Sequence, residues 1–322
     1  MKSVLPGAPW LIAHRSMIGI SKPYKLTLNG QDYVLWQSHA GEVFALENVC
    51  PHMQAPLSDG WVCKANGSIV CPYHALEFDG KGKLLKDGDA KGESLTNRLE
   101  LVVLGDLIWT YGGHEPRLPI PDLISERTRK FRFLGVTGNS SIQSEFLNCI
   151  KINYDFNHQN GVHRELFRIK ENPVKSFEHD DVEARVVQTF LRTENSFDEI
   201  LHNPSLLSLP KQIKNELEYS FPSTTLFKAK LPLGEVLQFF ILYPETEQQT
   251  RTFVIFYGNL QSSLFLIPGV RTVLERSLLA STAKVVEQDS KAVASLYPSQ
   301  KPKIRLPKEE ILFYVEKLYR DW

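Results

Sequence analysis

Only four cysteines and three methionines occur in the 322 residues. That is too few for a disulfide-built scaffold of this length, so each cysteine reads as a metal ligand or a buried thiol. Neither sign of charge is in excess: Lys and Arg total 37, Asp and Glu total 37. The balance removes any overall electrostatic case for a nucleic-acid or other polyanionic partner. No apolar run approaches the ~20 residues a membrane helix needs, and the longest candidate, SSLFLIPGV, is broken by Pro268. The N-terminal MKSVLPGAPWLIAHRSMIG lacks the continuous apolar core of a signal peptide, because Pro6, Pro9 and His14 interrupt it. A soluble cytoplasmic protein with no membrane span is therefore expected. There is no internal repeat and no low-complexity tract.

What is present falls into two parts. Residues 8 to 113 read as short β segments between turns. YKLTLNGQDYVLWQS holds two alternating runs joined at Asn29-Gly30, a strong hairpin signal, and GEVFALENV, SIVCPYHALEF and DLIWTYGG continue the pattern. HEPRLPIPDLI, with Pro116, Pro119 and Pro121, reads as an extended linker. Beyond it lie all of the 18 phenylalanines except Phe44 and Phe78. Helix candidates (142–167, 269–296, 308–320) flank strand candidates EARVVQTFLRT, STTLFKAKLP, EVLQFFILYP and TRTFVIFYGNL. Strands in series with helices before and after them predict an α+β domain on an antiparallel sheet. The expected boundary gives domains 1–118 and 119–322.

Two clusters carry chemistry. In the β domain, CPH supplies Cys50 and His52, and CPYH supplies Cys71 and His74. A structural Cys2His2 zinc site usually pairs Cys with Cys and His with His. Here each loop is mixed, which suits a Rieske [2Fe-2S] centre, with two thiolates on one iron and two imidazoles on the other. Cys63 and Cys149 fit neither pattern and read as buried thiols.

In the second part, DFNHQNGVH sets Asp155, His158 and His163 close together. Asp155 and His158 would lie about 60° apart on one helix face, where the carboxylate could orient the imidazole. His163 would stand about 140° from His158 on a regular helix, too far round to share an ion. The spacing therefore predicts a π-bulge or a turn near Gly161 between the two histidines. Two histidines and one carboxylate leave open positions on Fe(II). AKVVEQDSKAVASL offers Glu287 and Asp289 as the third ligand.

The Cys-x-His and Cys-x2-His pairs, with Pro51, Pro72, Tyr73 and EFDGKGKL, together with Asp-x2-His-x4-His and the late QD, resemble the Rieske non-haem iron oxygenase family. The resemblance implies an N-terminal all-β Rieske [2Fe-2S] domain, then a helix-grip, START-like catalytic domain with an antiparallel sheet. It implies a [2Fe-2S] cluster on Cys50, His52, Cys71 and His74, and mononuclear Fe(II) on His158, His163 and Asp289. It further implies a homotrimer in which Asp155 bridges the cluster of one subunit, at His52 or His74, to the iron of its neighbour. The family often has a basic residue and glycine after the first pair and Gly-Trp after the second, where this chain has Met53-Gln54 and Ala75-Leu76. Its asparagine three residues before the bridging aspartate is replaced by Ile152, with Asn153 one position later.

The function expected is hydroxylation or oxidative demethylation of an apolar, ring-containing small molecule with O2, monooxygenation being favoured over dioxygenation. The chain shows no dinucleotide fingerprint, flavin motif or all-cysteine ferredoxin motif, so a separate reductase or ferredoxin is implied as electron donor. Phe221, Phe227, Phe239, Phe240, Phe253 and Phe256 are candidates for an apolar cavity or for ordinary core. The alternative function is a Rieske electron-transfer protein without a catalytic iron.

Overall fold

The computed structural model describes residues 3–20, 22–155, 157–202, 206, 209–297 and 302–322. Phe156, inside the histidine motif, lies outside the described residues. The chain falls into two compact units, Met1–Ile120 with Tyr243–Glu247, and Pro121–Leu242 with Gln248–Trp322.

The first unit is built of short antiparallel strands. Tyr24–Leu28 and Gln31–Gln37 form the hairpin expected at Asn29-Gly30, and Val43–Glu47 pairs with the second of them. Asn29 and Gly30 sit at φ 49° and 83°. Asparagine and glycine tolerate this left-handed geometry, and it matches the twist of the flanking strands. A five-stranded sheet runs Trp61–Val62, Ile69–Val70, Glu77–Phe78, Lys83–Lys86 and Asp89–Ser94 in order. Trp36, Leu46, Ile69 and Phe78 are buried in one cluster with Cys50 and Cys71, so the two thiols are held by the core itself.

The second unit is an eight-stranded antiparallel sheet carrying helices. Its central path runs from Arg132–Ile142 through Gln249–Leu260, Gly234–Thr246, Thr224–Leu231 and Gln212–Ser220 to Glu183–Arg192. Ile169–Glu171 and Val174–His179 both pair with Glu183–Arg192. The strand Gln212–Ser220 was not expected from the sequence: its alternating QIKNELEYS holds several polar residues, and pattern alone does not mark it. The expected helix over 142–167 is instead the end of a strand, a helix at Phe146–Ile152, a 3-10 turn at His158–Asn160 and one turn at Arg164–Phe167.

The long helix Val270–Ala294 packs against the strand Arg132–Ile142. Its buried residues Leu278, Thr282, Val286 and Val293 recur at intervals of four, four and seven residues, the period of one helix face. Asp289 falls on this same stripe, three residues after Val286. Gly138 sits opposite, at φ +64°, where a Cβ would come within 2.9 Å of Val286 Cγ2. The absence of a side chain there permits the close approach that holds this stretch of helix on the sheet.

Candidate metal centres

In the first unit the two ligand loops have one shape. Cys50 N–H donates to Ala55 O at 2.8 Å and Gln54 N–H to Cys50 O at 2.9 Å. Cys71 N–H donates to Leu76 O at 2.8 Å and Ala75 N–H to Cys71 O at 3.1 Å. Each loop thus buries its cysteine at the base and lifts its histidine outward. Cys50 and Cys71 are 1% exposed, whereas His52 and His74 are exposed. The histidine Nδ1 atoms approach to 3.1 Å, with ring centroids 4.6 Å apart. Two buried thiols and two converging imidazoles form the donor set a [2Fe-2S] cluster of this type requires. The departures from the family pattern fall where each loop turns: Gln54 and Ala75 adopt φ 61° and 55°, the left-handed region in which glycine is unstrained.

Of the remaining cysteines, Cys149 is buried as expected, and burial pushes its thiol up to about 11. Cys63 is only half-buried.

In the second unit the interruption between the histidines is the turn at Gly161, of 3-10 form, and not the π-bulge. Gly161 N–H and Val162 N–H both donate to His158 O, at 3.0 and 2.7 Å. Tyr154, fully buried, fixes the start of the turn through its hydroxyl, 2.9 Å from Thr225 Oγ1, and its edge-on ring contact with Tyr219. The turn swings the second imidazole back, so that His158 Nε2 and His163 Nε2 lie 3.3 Å apart. Asp289 Oδ1 stands 3.4 Å from His158 Nε2 and 3.0 Å from His163 Nε2. These three donors lie within 4.8 Å of one another, with side chains 10%, 4% and 15% exposed. Glu287, the other candidate, faces solvent and pairs with Lys291 one turn along.

The electrostatics suit a cation. Burial would lift the Asp289 carboxyl, but the two histidines hold it below the ordinary carboxylate range. Burial also opposes charge on His158, yet Asp289 and the Asp155 carbonyl outweigh it and raise the imidazole above its usual value. Asp289 Oδ1 is buried with no hydrogen bond of proper geometry among the described residues. A buried carboxylate oxygen aimed at two imidazole nitrogens, all three without other use, is what a 2-His-1-carboxylate iron site supplies.

The supports differ from expectation in one respect. The Asp155 carboxylate does not orient His158; it accepts Asn157 N–H at 2.9 Å, and the main-chain carbonyl of Asp155 meets His158 Nδ1. Two residues separate Asp155 from the 3-10 turn, and it lies outside any helix, so its side chain is not carried onto His158's face. His163 is oriented by Gln288, whose Oε1 lies 2.9 Å from His163 Nδ1. Sequence reading passed over Gln288, though it stands beside Asp289 in the QD pair.

Above the donors lies an apolar cavity between the sheet and the long helix, lined by Phe167, Phe190, Ile213, Leu217, Phe227 and Phe240 among others. Of the six phenylalanines considered from the sequence, Phe227 and Phe240 line it. Phe221, Phe239, Phe253 and Phe256 are buried in ordinary packing, Phe221 against Trp322 and Phe239 against Tyr257. Asn153 reaches the same cavity, and its Nδ2 is buried with no hydrogen-bond partner among the described residues.

A Rieske [2Fe-2S] domain model matches residues 9–97, which include all four cluster-ligand candidates. The chain is 28% identical over 243 residues to a 4beta-methylsterol monooxygenase of Methylococcus capsulatus, a match covering 70% of this chain and 61% of that protein. It is 34% identical over 163 residues to the oxygenase component of dicamba O-demethylase from Stenotrophomonas maltophilia, covering 48% of this chain and 47% of that protein. The matched regions thus span about half to three fifths of these curated relatives. The fold is similar to that in the crystal structure of dicamba monooxygenase bound to dicamba, with TM-score 0.77, 21% identity, and coverage of 99% of this chain and 98% of that one. The chain thus carries a Rieske [2Fe-2S] domain, and along its whole length it resembles Rieske non-haem iron oxygenases in fold. The Rieske domain is followed by an antiparallel-sheet domain that holds the candidate His-His-Asp iron site. No helix among the described residues is long and apolar enough to cross a membrane.

Proposed function

We propose that the chain is the oxygenase component of a Rieske system. It hydroxylates or oxidatively demethylates an uncharged, largely apolar, ring-containing small molecule with O2, drawing electrons from a separate reductase or ferredoxin in the cytoplasm. The Rieske domain is taken as residues 1–118 and the catalytic domain as 119–322. Names of relatives that record a monooxygenase and an O-demethylase support monooxygenation. The observation that carries the reading is the convergence of His158, His163 and Asp289 at one cavity whose remaining wall is mostly apolar. An electron carrier has no use for such a cavity, which disfavours the alternative.

Iron held there would supply open positions for oxygen and substrate, and the cluster would supply electrons singly. The protein's own contribution is positional. His158 and His163 present Nε2 because Asp155 O and Gln288 Oε1 engage their Nδ1 atoms. The apolar wall excludes water and admits a ring system.

Asp155 is assigned to the relay between the cluster of one subunit and the iron of the next in a homotrimer. Its main-chain contact with His158 supports this, because a displacement of Asp155 would be felt at an iron ligand.

The test is oxygen consumption with a reductase and NADH, with and without a neutral aromatic methyl ether or sterol. Wild type should consume oxygen faster with substrate. Asp155→Asn should keep the visible cluster bands and lose that coupling; undiminished consumption in this variant would remove the relay role. No substrate-dependent consumption across such a panel, from protein carrying both metals, would count against the oxygenase reading.

A further inference from the structure

Along the strand Gly234–Thr246, Val236, Gln238 and Phe240 all line the cavity, and across the sheet Gln238 is in register with Phe227. A carboxamide in the middle of an apolar wall is costly unless its polar atoms are met. One of them is. Thr282, on the long helix and 4% exposed, shares its one hydroxyl hydrogen between Leu278 O at 3.1 Å and Gln238 Oε1 at 3.3 Å. The amide is thereby held from the helix side, and its N–H groups have no protein partner among the described residues.

Other polar side chains on the wall are already engaged. Thr225 Oγ1 is 2.9 Å from Tyr154 Oη, Ser281 donates to Ser277 O at 2.8 Å, and Gln159 Oε1 accepts from Asn172 Nδ2 at 2.9 Å. Asn153, with its unpartnered Nδ2, shares the wall with the iron donors and belongs with them. Among the described lining residues the only ionisable side chains are His158, His163 and Asp289. The guanidinium on this sheet face, Arg192, is engaged with Phe167 O, Leu209 O and Asn195 Oδ1. Away from the iron donors the wall therefore offers an anionic ligand no countercharge, whereas a neutral oxygen would meet there a donor that is already oriented.

We propose that Gln238 is the substrate-recognition residue of this cavity, its amide N–H groups donating to an uncharged oxygen, whether carbonyl, hydroxyl or ether, on an otherwise apolar ring-containing molecule. The inference rests on reading the cavity as the substrate site. Thr282 is the positioning residue that fixes the amide.

The test is calorimetric titration of the oxidised, metal-replete protein with 1-tetralone and tetralin, which share a fused bicyclic frame and differ in one carbonyl oxygen. Wild type should bind tetralone about five- to tenfold more tightly than tetralin, the value of one neutral hydrogen bond. Gln238→Leu should bring tetralone down to tetralin while leaving tetralin unchanged. Should that variant fail to fold, judged by the visible cluster spectrum, Gln238→Met decides in its place. Equal binding of tetralone and tetralin by wild type, including no binding of either, would overturn the proposal, as would a preference that survives either substitution. Turnover is not needed for these titrations. A preference that depends on Gln238 in a protein that consumes no oxygen would therefore contradict the oxygenase function and leave the anchor in place.

Discussion

The four ligand candidates of the N-terminal unit come from two loops of the same shape, each with its cysteine in the core and its histidine exposed. The three donors of the C-terminal unit come from an interrupted helical segment and a helix far along the chain, and their side chains are 4% to 15% exposed. A cluster that passes single electrons gains from imidazoles at the surface, where a partner can approach. A site that activates oxygen gains from burial, where neighbouring groups act at low effective dielectric. The difference also governs how each is positioned. The first set is placed by local main-chain hydrogen bonds, the second by packing of a helix on a sheet at Gly138 and Val286.

The sharpest way to break this comparison is to remove one donor from each region. Cys71→Ser should abolish the visible cluster bands and leave the second iron in place. Asp289→Ala should do the reverse and abolish all substrate-coupled oxygen consumption. Metal analysis and absorption spectra on both variants check this, and loss of both metals in either one would show that the regions are not independent.

A smaller effect should follow from the group behind the iron donors. Gln288→Leu removes the partner of His163 Nδ1 without touching a ligand, and iron affinity should fall by roughly 10- to 100-fold. Titration with Fe(II) under anaerobic conditions, following the restored iron by competition with a chelator, measures it. The cluster spectrum should not change.

The iron-free triad should also leave a signature in stability against pH. His158 is raised by Asp289, so its contribution is complete below about pH 6.5 and is lost as pH rises through the raised value. Asp289 is depressed, so its contribution is present above the ordinary carboxylate range and is lost as pH falls through the lowered value. The advantage of iron-free wild type over Asp289→Asn should therefore be greatest in mild acid and shrink on either side. Thermal unfolding across that range tests it; an advantage independent of pH would exclude the pair as its source.

The smallest effect belongs to the cluster loops. Ala75→Gly and Gln54→Gly each relieve a left-handed conformation, and each should stabilise the protein by about 0.5–1 kcal/mol. Denaturant midpoints on the cluster-loaded protein would show it, with the visible bands unchanged.

These contrasts explain what could be read from the sequence. The hairpin at Asn29-Gly30 and the paired Cys and His motifs were legible because local chain geometry specifies them. The break between His158 and His163 was also legible, since a regular helix cannot bring residues five apart onto one ion. Its form as a 3-10 turn was not, because that depends on Tyr154 reaching Thr225 on a distant strand. Asp289 was favoured over Glu287 by the QD resemblance alone; what turns it toward the two histidines is the face of the long helix, which the sequence does not orient. Gln238 left a signal, a lone amide in the apolar run EVLQFFILYP, but which face of the strand meets the cavity is decided by the sheet.

The measurement that bears most directly on the whole account is iron and acid-labile sulfide per chain in wild type and His158→Ala, both purified without oxygen. A two-site protein should hold near three irons and two sulfides, with one iron lost in the variant and the cluster bands intact. Two irons in both proteins, from preparations shown to have kept their metal, would contradict it and leave an electron carrier.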